Sequence, residues 1–397
     1  MNLWRITGTF FSKLLTVALV MMVLCTMSQA DAAKKEKPQV IWSPNIFSLQ
    51  KDDMLLNYPG VKDKIIHAIN RKLTELEQKD KLPFTLKTNS EASSLNDIYV
   101  GNDVALIPLV VMDSTFDRTF HSVNGNTYYA TCINSGLCLM LCSMEENTDP
   151  SMEANVSFRM LGMIPLYTQT WLGNPKVEKI DKPIKDSVKA AAFAQITADT
   201  VQRYLDFKSQ KKILKNLEEK LTTDETYQVT DVRISSKKAA ALFADSQQDL
   251  DMLKSTTAYF FTGAYQQNSK KILLPPNVAA SSNVSEDVVD NISSLHIDSN
   301  IGDTNLLLPQ ARNKITLDIT GFNFGEVHDK TANELVKNTI YKGWLAHSGI
   351  DGKPPVELST ELLVKTVRND ESAVEMSEKD LCMDLMTALA QDLGNKK

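Results

Sequence analysis

A chain of 397 residues with 43% hydrophobic and 7% aromatic side chains is globular in composition and long enough for more than one core. Its 43 Lys and Arg stand against 49 Asp and Glu, a formal charge of −6. That balance offers no basic excess to a phosphate backbone and argues against a nucleic-acid partner.

The chain opens with Arg5 and Lys13, followed by the apolar run Leu14 to Cys25 and then the small residues of Ser28-Gln29-Ala30 and Ala30-Asp31-Ala32. This order predicts an export signal over residues 1–30. The run is shorter than the roughly 20 apolar residues that a membrane span needs. Cys25 closes it, but Leu24 stands where a lipidation site wants a small residue. No later segment reaches membrane length. The expectation is therefore a mature chain with no membrane span, exported to the periplasm or cell envelope.

Beyond the leader, Gln39 to Trp42 reads as a short strand, and Tyr58-Pro59-Gly60 punctuates entry to a helix. In that helix Val61, Ile65, Ile69, Leu73 and Leu76 recur every three or four residues. Leu82 to Lys87 is a strand, and Val104 to Met112 a strand buried on both faces with a break at Pro108. An antiparallel meander follows: strands 118–123, 127–133, 137–144 and 156–171, with turns at Asn124-Gly125 and Asn134-Ser135-Gly136. A long helix covers 184–207 and continues as an exposed, charged helix from Lys208 to Lys220. The second half predicts a strand at 227–234, a helix at 237–253 and an apolar strand at 257–265. Residues 266–313 are polar and rich in Pro, Ser, Asn and Asp, which predicts a long loop. A strand at 314–322, a helix at 329–347 and a last helix from Ser377 complete the chain. Ser377 stands three residues before Asp380, an N-cap pattern.

The cysteines carry the clearest chemical signal. Cys132, Cys138, Cys142 and Cys382 remain after the leader. A three-residue hairpin loop at 134–136 would set Cys132 directly opposite Cys138, at a separation that a disulfide accepts. An exported protein meets an oxidising compartment, so the bridge is chemically permitted. Cys142 points to the same face as Cys138, and Cys382 lies on the apolar side of the last helix, which offers a second bridge. Four buried thiols are the plainer reading. A zinc site is disfavoured, because Cys138 and Cys142 would stand roughly 13 Å apart on an extended strand.

The other candidates read better as ordinary surface or core. His67 sits among Ile65, Ile66 and Ile69 as a core-edge residue, and His296 with Asp298, Asp290 or Asp303 falls in the polar stretch. Gly321-Phe322-Asn323-Phe324-Gly325, ahead of His328 and Asp329, lacks the residues of a phosphate loop or dinucleotide site and reads as a strand-to-helix connection. His347-Ser348 has no nucleophile elbow around it. Asp52-Asp53 and Glu145-Glu146 are adjacent acids whose side chains diverge. Trp42, Trp171 and Trp344 lie in apolar contexts that place them in the core.

The segment Leu253 to Gly263, with its Tyr259-to-Gly263 "Y-x-x-x-G" pattern, resembles the small α/β modules of the curli-secretion and penicillin-binding-protein-activator envelope lipoproteins. The closing helix Ser377 to Leu393 resembles theirs as well. The resemblance spans about 90 residues per half and implies that 259–263 opens antiparallel strands and that the role is non-catalytic. The fold expected is α+β in two domains, 38–207 and 208–397, each a mainly antiparallel sheet covered by helices. The function expected is an exported binding or assembly factor that contacts envelope proteins and carries no cofactor. An envelope hydrolase and a small-solute binder are the alternative readings.

Overall fold

The computed structural model describes residues 37–42, 44–49, 55–88, 104–121, 125–146, 156–173, 179–208, 226–269, 271–276, 284–289, 292–299, 304–309, 311–327, 336–349, 354–367 and 377–396. The fold is α+β with two sheets. The predicted leader at 1–30 and nearly all of the charged helix at 208–220 lie outside the described residues.

The first sheet holds β1 (Gln39–Trp42), β2 (Phe47–Ser48), β3 (Thr85–Thr88), β4 (Val104–His121), β5 (Thr127–Glu146) and β6 (Val156–Leu172). Chain from the second half completes it: β9 (Val284–Val289), β10 (Ile292–Ser299) and β11 (Thr304–Pro309). Following the pairings β4–β5–β6–β11–β10–β2 returns to β4, since Phe47 and Ser48 pair with both Leu109-Val110 and Asp298-Ser299. The strand pairings thus close into a six-stranded ring, completed by the two residues of β2. Its interior is packed by Phe47, Leu109, Met140, Phe158, Met163 and Leu306, among others. Phe47 and Phe158 meet edge to face there, 5.6 Å between centroids. Pro108 falls where β1 stops and β2 starts as the neighbour of β4, so the strand runs through it unbroken.

The outward face of β5 is apolar too. Ile133, Leu137, Leu139 and Leu141 share a core with Ile65, Ile69 and Leu73 of α1 (Val61–Gln78) and with Phe193 and Val201 of α2 (Asp186–Tyr204). Burial on both faces explains the nearly continuous apolar run of the sequence.

The second sheet has the order β14-β13-β12-β7-β8: β7 (Thr226–Ile234), β8 (Ile272–Leu273), β12 (Asn313–Val327), β13 (Val336–His347) and β14 (Val356–Val367). Three helices accompany it: α3 (Lys237–Leu242), α4 (Gln247–Ser269) and α5 (Glu378–Asn395). Their buried side chains share one core with Ile315, Leu317, Ile319, Phe322 and Leu345. The opposite side of α4 and α5 meets the first sheet, where Tyr167 of β6 covers Gly263 and Gln266 Nε2 donates to the Met163 carbonyl. These two helices therefore form a layer between the sheets. They approach each other closely: a Cβ on Gly394 would lie 2.7 Å from the Phe261 carbonyl oxygen, so only glycine fits.

Several sequence expectations are corrected by these observations. Residues 134–136 are no turn; β5 runs through them, paired on both sides. Asn134 accepts from Gln169 Nε2 at 3.0 Å and Ser135 Oγ meets Thr197 Oγ1 at 2.6 Å, so residues that look like turn formers are buried and satisfied instead. The apolar strand expected at 257–265 is the middle of α4, buried on nearly every side. A helix buried all round loses its polar stripe and reads as a run, which is what misled the periodicity. The Tyr259–Gly263 pattern consequently opens no strand. The helix expected at 329–347 is instead β13 from Val336, whose side chains alternate between the two faces of the sheet. The loop at 266–313 contains β8 to β11. Residues 39–397 form one compact unit, and β9 to β11, which follow residue 208, complete the first sheet.

Candidate functional site

Adjacent residues of a strand point to opposite faces, and β4 uses this to bind a helix on each side. Asp117 accepts from Lys189 Nζ of α2 at 2.8 Å and from Thr131 Oγ1 at 2.6 Å. The neighbouring Arg118 turns to α5. Its Nε lies 2.8 Å from Asp380 Oδ1, its Nη2 lies 3.5 Å from Asp384 Oδ1, and Nη2 donates to the Asp380 carbonyl at 3.3 Å. The guanidinium carbon sits 4.0 Å from the Trp171 ring centroid and 5.2 Å from that of Phe116, and the side chain is 4% exposed. Ser377 caps α5 as the sequence predicts, accepting from the Asp380 amide at 3.2 Å. Burial lifts the carboxyls of Asp380 and Asp384 above the usual range, and Arg118 opposes it. Two acids on one cation make this a latch for the C-terminal helix. The signal in the sequence was a lone arginine between Phe116 and Phe120, and acids four apart on an apolar helix.

Asp113 of β4 is also buried. Its Oδ2 accepts from the Leu56 amide at 2.8 Å. Desolvation raises its carboxyl to about 6, against the pull of the Leu56 and Leu55 amides.

The cysteine expectation is overturned. All four are free, buried thiols. Cys132 and Cys138 lie on one continuous strand, six residues apart, about 20 Å and far beyond the reach of a disulfide. Cys132 stands opposite Phe116 and Trp171, and Cys138 opposite Leu109 and Pro165. Cys142 packs inside the ring while Cys382 packs in the core shared by the helices and the second sheet, so the second bridge is absent as well. Burial pushes the thiols of Cys132, Cys138 and Cys382 up to about 12, and Cys142 is raised too. Protonated and enclosed, they are not poised nucleophiles.

The remaining candidates do not converge. His67 is exposed on α1 and His296 lies on β10 opposite Asn305. His347 is buried beside Phe261, and its Nδ1 is 2.6 Å from the Ser348 carbonyl. The Ser348 hydroxyl accepts separately from the Thr316 amide at 2.9 Å, so imidazole and hydroxyl form no base–nucleophile pair. Gly321 to Gly325 lies within β12, not before a helix. Trp42 is buried and donates to Asn70 Oδ1 at 2.6 Å. Asp52, Asp53, Asp290, Asp303, His328, Asp329 and the side chains of Glu145, Glu146 and Asp298 lie outside the described residues. Among the described residues no group of three or more His, Cys, Asp or Glu is placed to hold a metal ion.

What remains is a surface. The helices cover one face of the second sheet; the other carries Trp344, whose ring lies over Gly321, where a Cβ would come within 2.6 Å. Trp344, expected in the core, is half-buried on this face. Around it stand Lys342, Ser359 and Glu361, all exposed, with Lys342 Nζ 2.6 Å from Glu361 Oε1. Leu363 opposite Ile340 is 61% exposed. Strand β14 ends the sheet, and among the described residues its outer edge has no partner strand.

No family model matches the sequence, and no curated protein matches it either. A solved structure, the rare lipoprotein B from Shewanella oneidensis, is similar over 46% of this chain and 99% of its own, at 12% identity and a TM-score of 0.20. A superposition that loose carries no argument about role. Among the described residues no helix is long and apolar enough to cross a membrane.

Proposed function

We propose that this chain is an exported protein of the bacterial cell envelope that works without catalysis, by binding other envelope proteins through the open face of its second sheet. The observation that supports it most is the contrast in where polar and apolar groups lie. Arg118, Asp380, His347 and the four thiols are buried, and Arg118 ties Asp380 and the half-buried Asp384 to the first sheet. On the outer face of β12 to β14, Trp344, Leu363 and paired charges face outward. A half-buried aromatic and an exposed aliphatic side chain rimmed by charge are what a protein contact uses. The leader-like residues 1–30 support export.

Photo-crosslinking in intact cells tests this. A photoreactive residue at Ser359 should capture a small, reproducible set of envelope proteins, while the same residue at the exposed Val188 of α2 should not. Cell fractionation should place the chain in the envelope, starting near Asp31. Equal capture at both positions, or capture at neither, contradicts the proposal.

A further inference from the structure

We infer that β2 is a strap: its release opens the ring between β4 and β10 and uncovers the ring interior, while β4 to β6 and the second sheet stay folded. The inference does not rest on the proposed contact surface.

The strands of the ring are joined very unevenly. β4 pairs with β5 from Val104–Ser143 to His121–Thr127, and β5 with β6 from Thr131–Leu172 to Glu146–Val156. Among the described residues β2 meets β4 only at Phe47–Leu109 and Ser48–Val110, and β10 only at Phe47–Ser299 and Ser48–Asp298. Its pairing with β4 is parallel, the slightly weaker kind of ladder. Just past β2 the Leu49 amide donates to the Val110 carbonyl at 3.1 Å. Side chains anchor the strap on both faces: Phe47 points into the ring against Phe158, and Ile46 before it packs in the outer core with α1 and α2. Opening costs least where an element is held by few backbone bonds, so β2 is the first part of the ring to leave. β4, β5 and β6 keep one another's ladders when it does.

Phe47, Leu109 and Cys138 stand side by side across β2, β4 and β5, and Cys142 lies on the same inner face further along β5. Met140, Met160 and Met163 line that interior too. Methionine is unbranched and flexible, so this lining can re-pack as the Phe47 ring leaves and returns. Cys382 lies in the other core, shared by the helices and the second sheet. All of these thiols are buried, so each meets a reagent only when its own surroundings open. Cys138 and Cys142 therefore report on the ring, and Cys382 reports on the second core.

The test is alkylation of the purified, folded full-length chain with iodoacetamide, read site by site by mass spectrometry. At urea concentrations well below the unfolding midpoint, Cys138 and Cys142 should react faster than Cys382. Their rates should also depend less on urea, because releasing a strap exposes less surface than unfolding the chain. Phe47→Ala removes the inner anchor and should speed Cys138 and Cys142 by about a hundredfold. Phe47→Leu should give a smaller rise at the same two thiols, and serves if the alanine variant does not fold. Leu345→Ala, a fully buried change in the second core, should speed Cys382 and leave Cys138 and Cys142 as they were, because that core stays intact when the strap opens. Equal rates at all three thiols with one urea dependence overturn the inference. So does a rise at Cys138 and Cys142 in Leu345→Ala as large as at Cys382, or no change at them in either Phe47 variant.

Discussion

The two sheets handle the same problem in opposite ways. The first closes on itself through β2 and carries helices outside the ring, so the middle of β5 is buried on both faces. The second is covered by α3 to α5 on one face and, among the described residues, stays open on the other and along β14. Polar residues have correspondingly different duties. In the first sheet Asn134, Ser135, Asp117 and Arg118 each bind a neighbouring element. In the second, Lys342, Ser359 and Glu361 face outward. In the closed sheet polar groups bind neighbouring elements; on the open face of the second they point outward.

The sharpest break of that comparison is in the ring. Phe158→Ala removes a fully buried ring wedged against Phe47, and should destabilise the chain by about 3–5 kcal/mol in urea unfolding. A loss near zero would mean the ring is not a packed core. Nearly as large, Arg118→Met should cost about 3–5 kcal/mol, because the buried Asp380 and the half-buried Asp384 are left without their cation. Adding Asp380→Asn and Asp384→Asn to it should recover part of that loss. If the triple variant is no more stable than the single one, the latch is not electrostatic.

Asp113 gives a pH dependence whose sign is fixed by burial. Its native carboxyl, raised to about 6, keeps a proton that the unfolded chain releases near the ordinary aspartate value. Its contribution is therefore full below about pH 4 and declines as pH rises through 6, by on the order of 3 kcal/mol. Asp113→Asn should flatten that stretch of the stability curve. An unchanged slope between pH 4 and 6 would show that Asp113 is not the group responsible. The smallest effect belongs to the open sheet: Leu363→Ser should change stability by less than about 0.5 kcal/mol. A larger loss would mean that this face is core.

Legibility in the sequence follows the same division. Where one face is buried and the other wet, the period shows: α1, β12 and the capped start of α5 were all readable. Where an element is enclosed, the period disappears. α4 lies between two sheets, so Thr257 to Tyr265 looked like a strand, and β5 looked like two strands because Asn134-Ser135-Gly136 has turn chemistry. The predicted disulfide failed with that turn. Ring closure rests on Phe47-Ser48 and on strands from a polar stretch, and no local signal announces it. The latch was half visible, since the cap at Ser377 was read but the link of Asp380 to Arg118, 262 residues earlier, was not.

Native-state hydrogen exchange, read strand by strand in dilute protein, tests the central contrast most directly. Amides of β5 within the ring should exchange only through global unfolding, and the amides of β14 on the edge that has no partner strand among the described residues should exchange within the earliest time points. Equal protection of β5 and β14, or a ring that exchanges as fast as the edge, would contradict the account of one closed sheet and one open one.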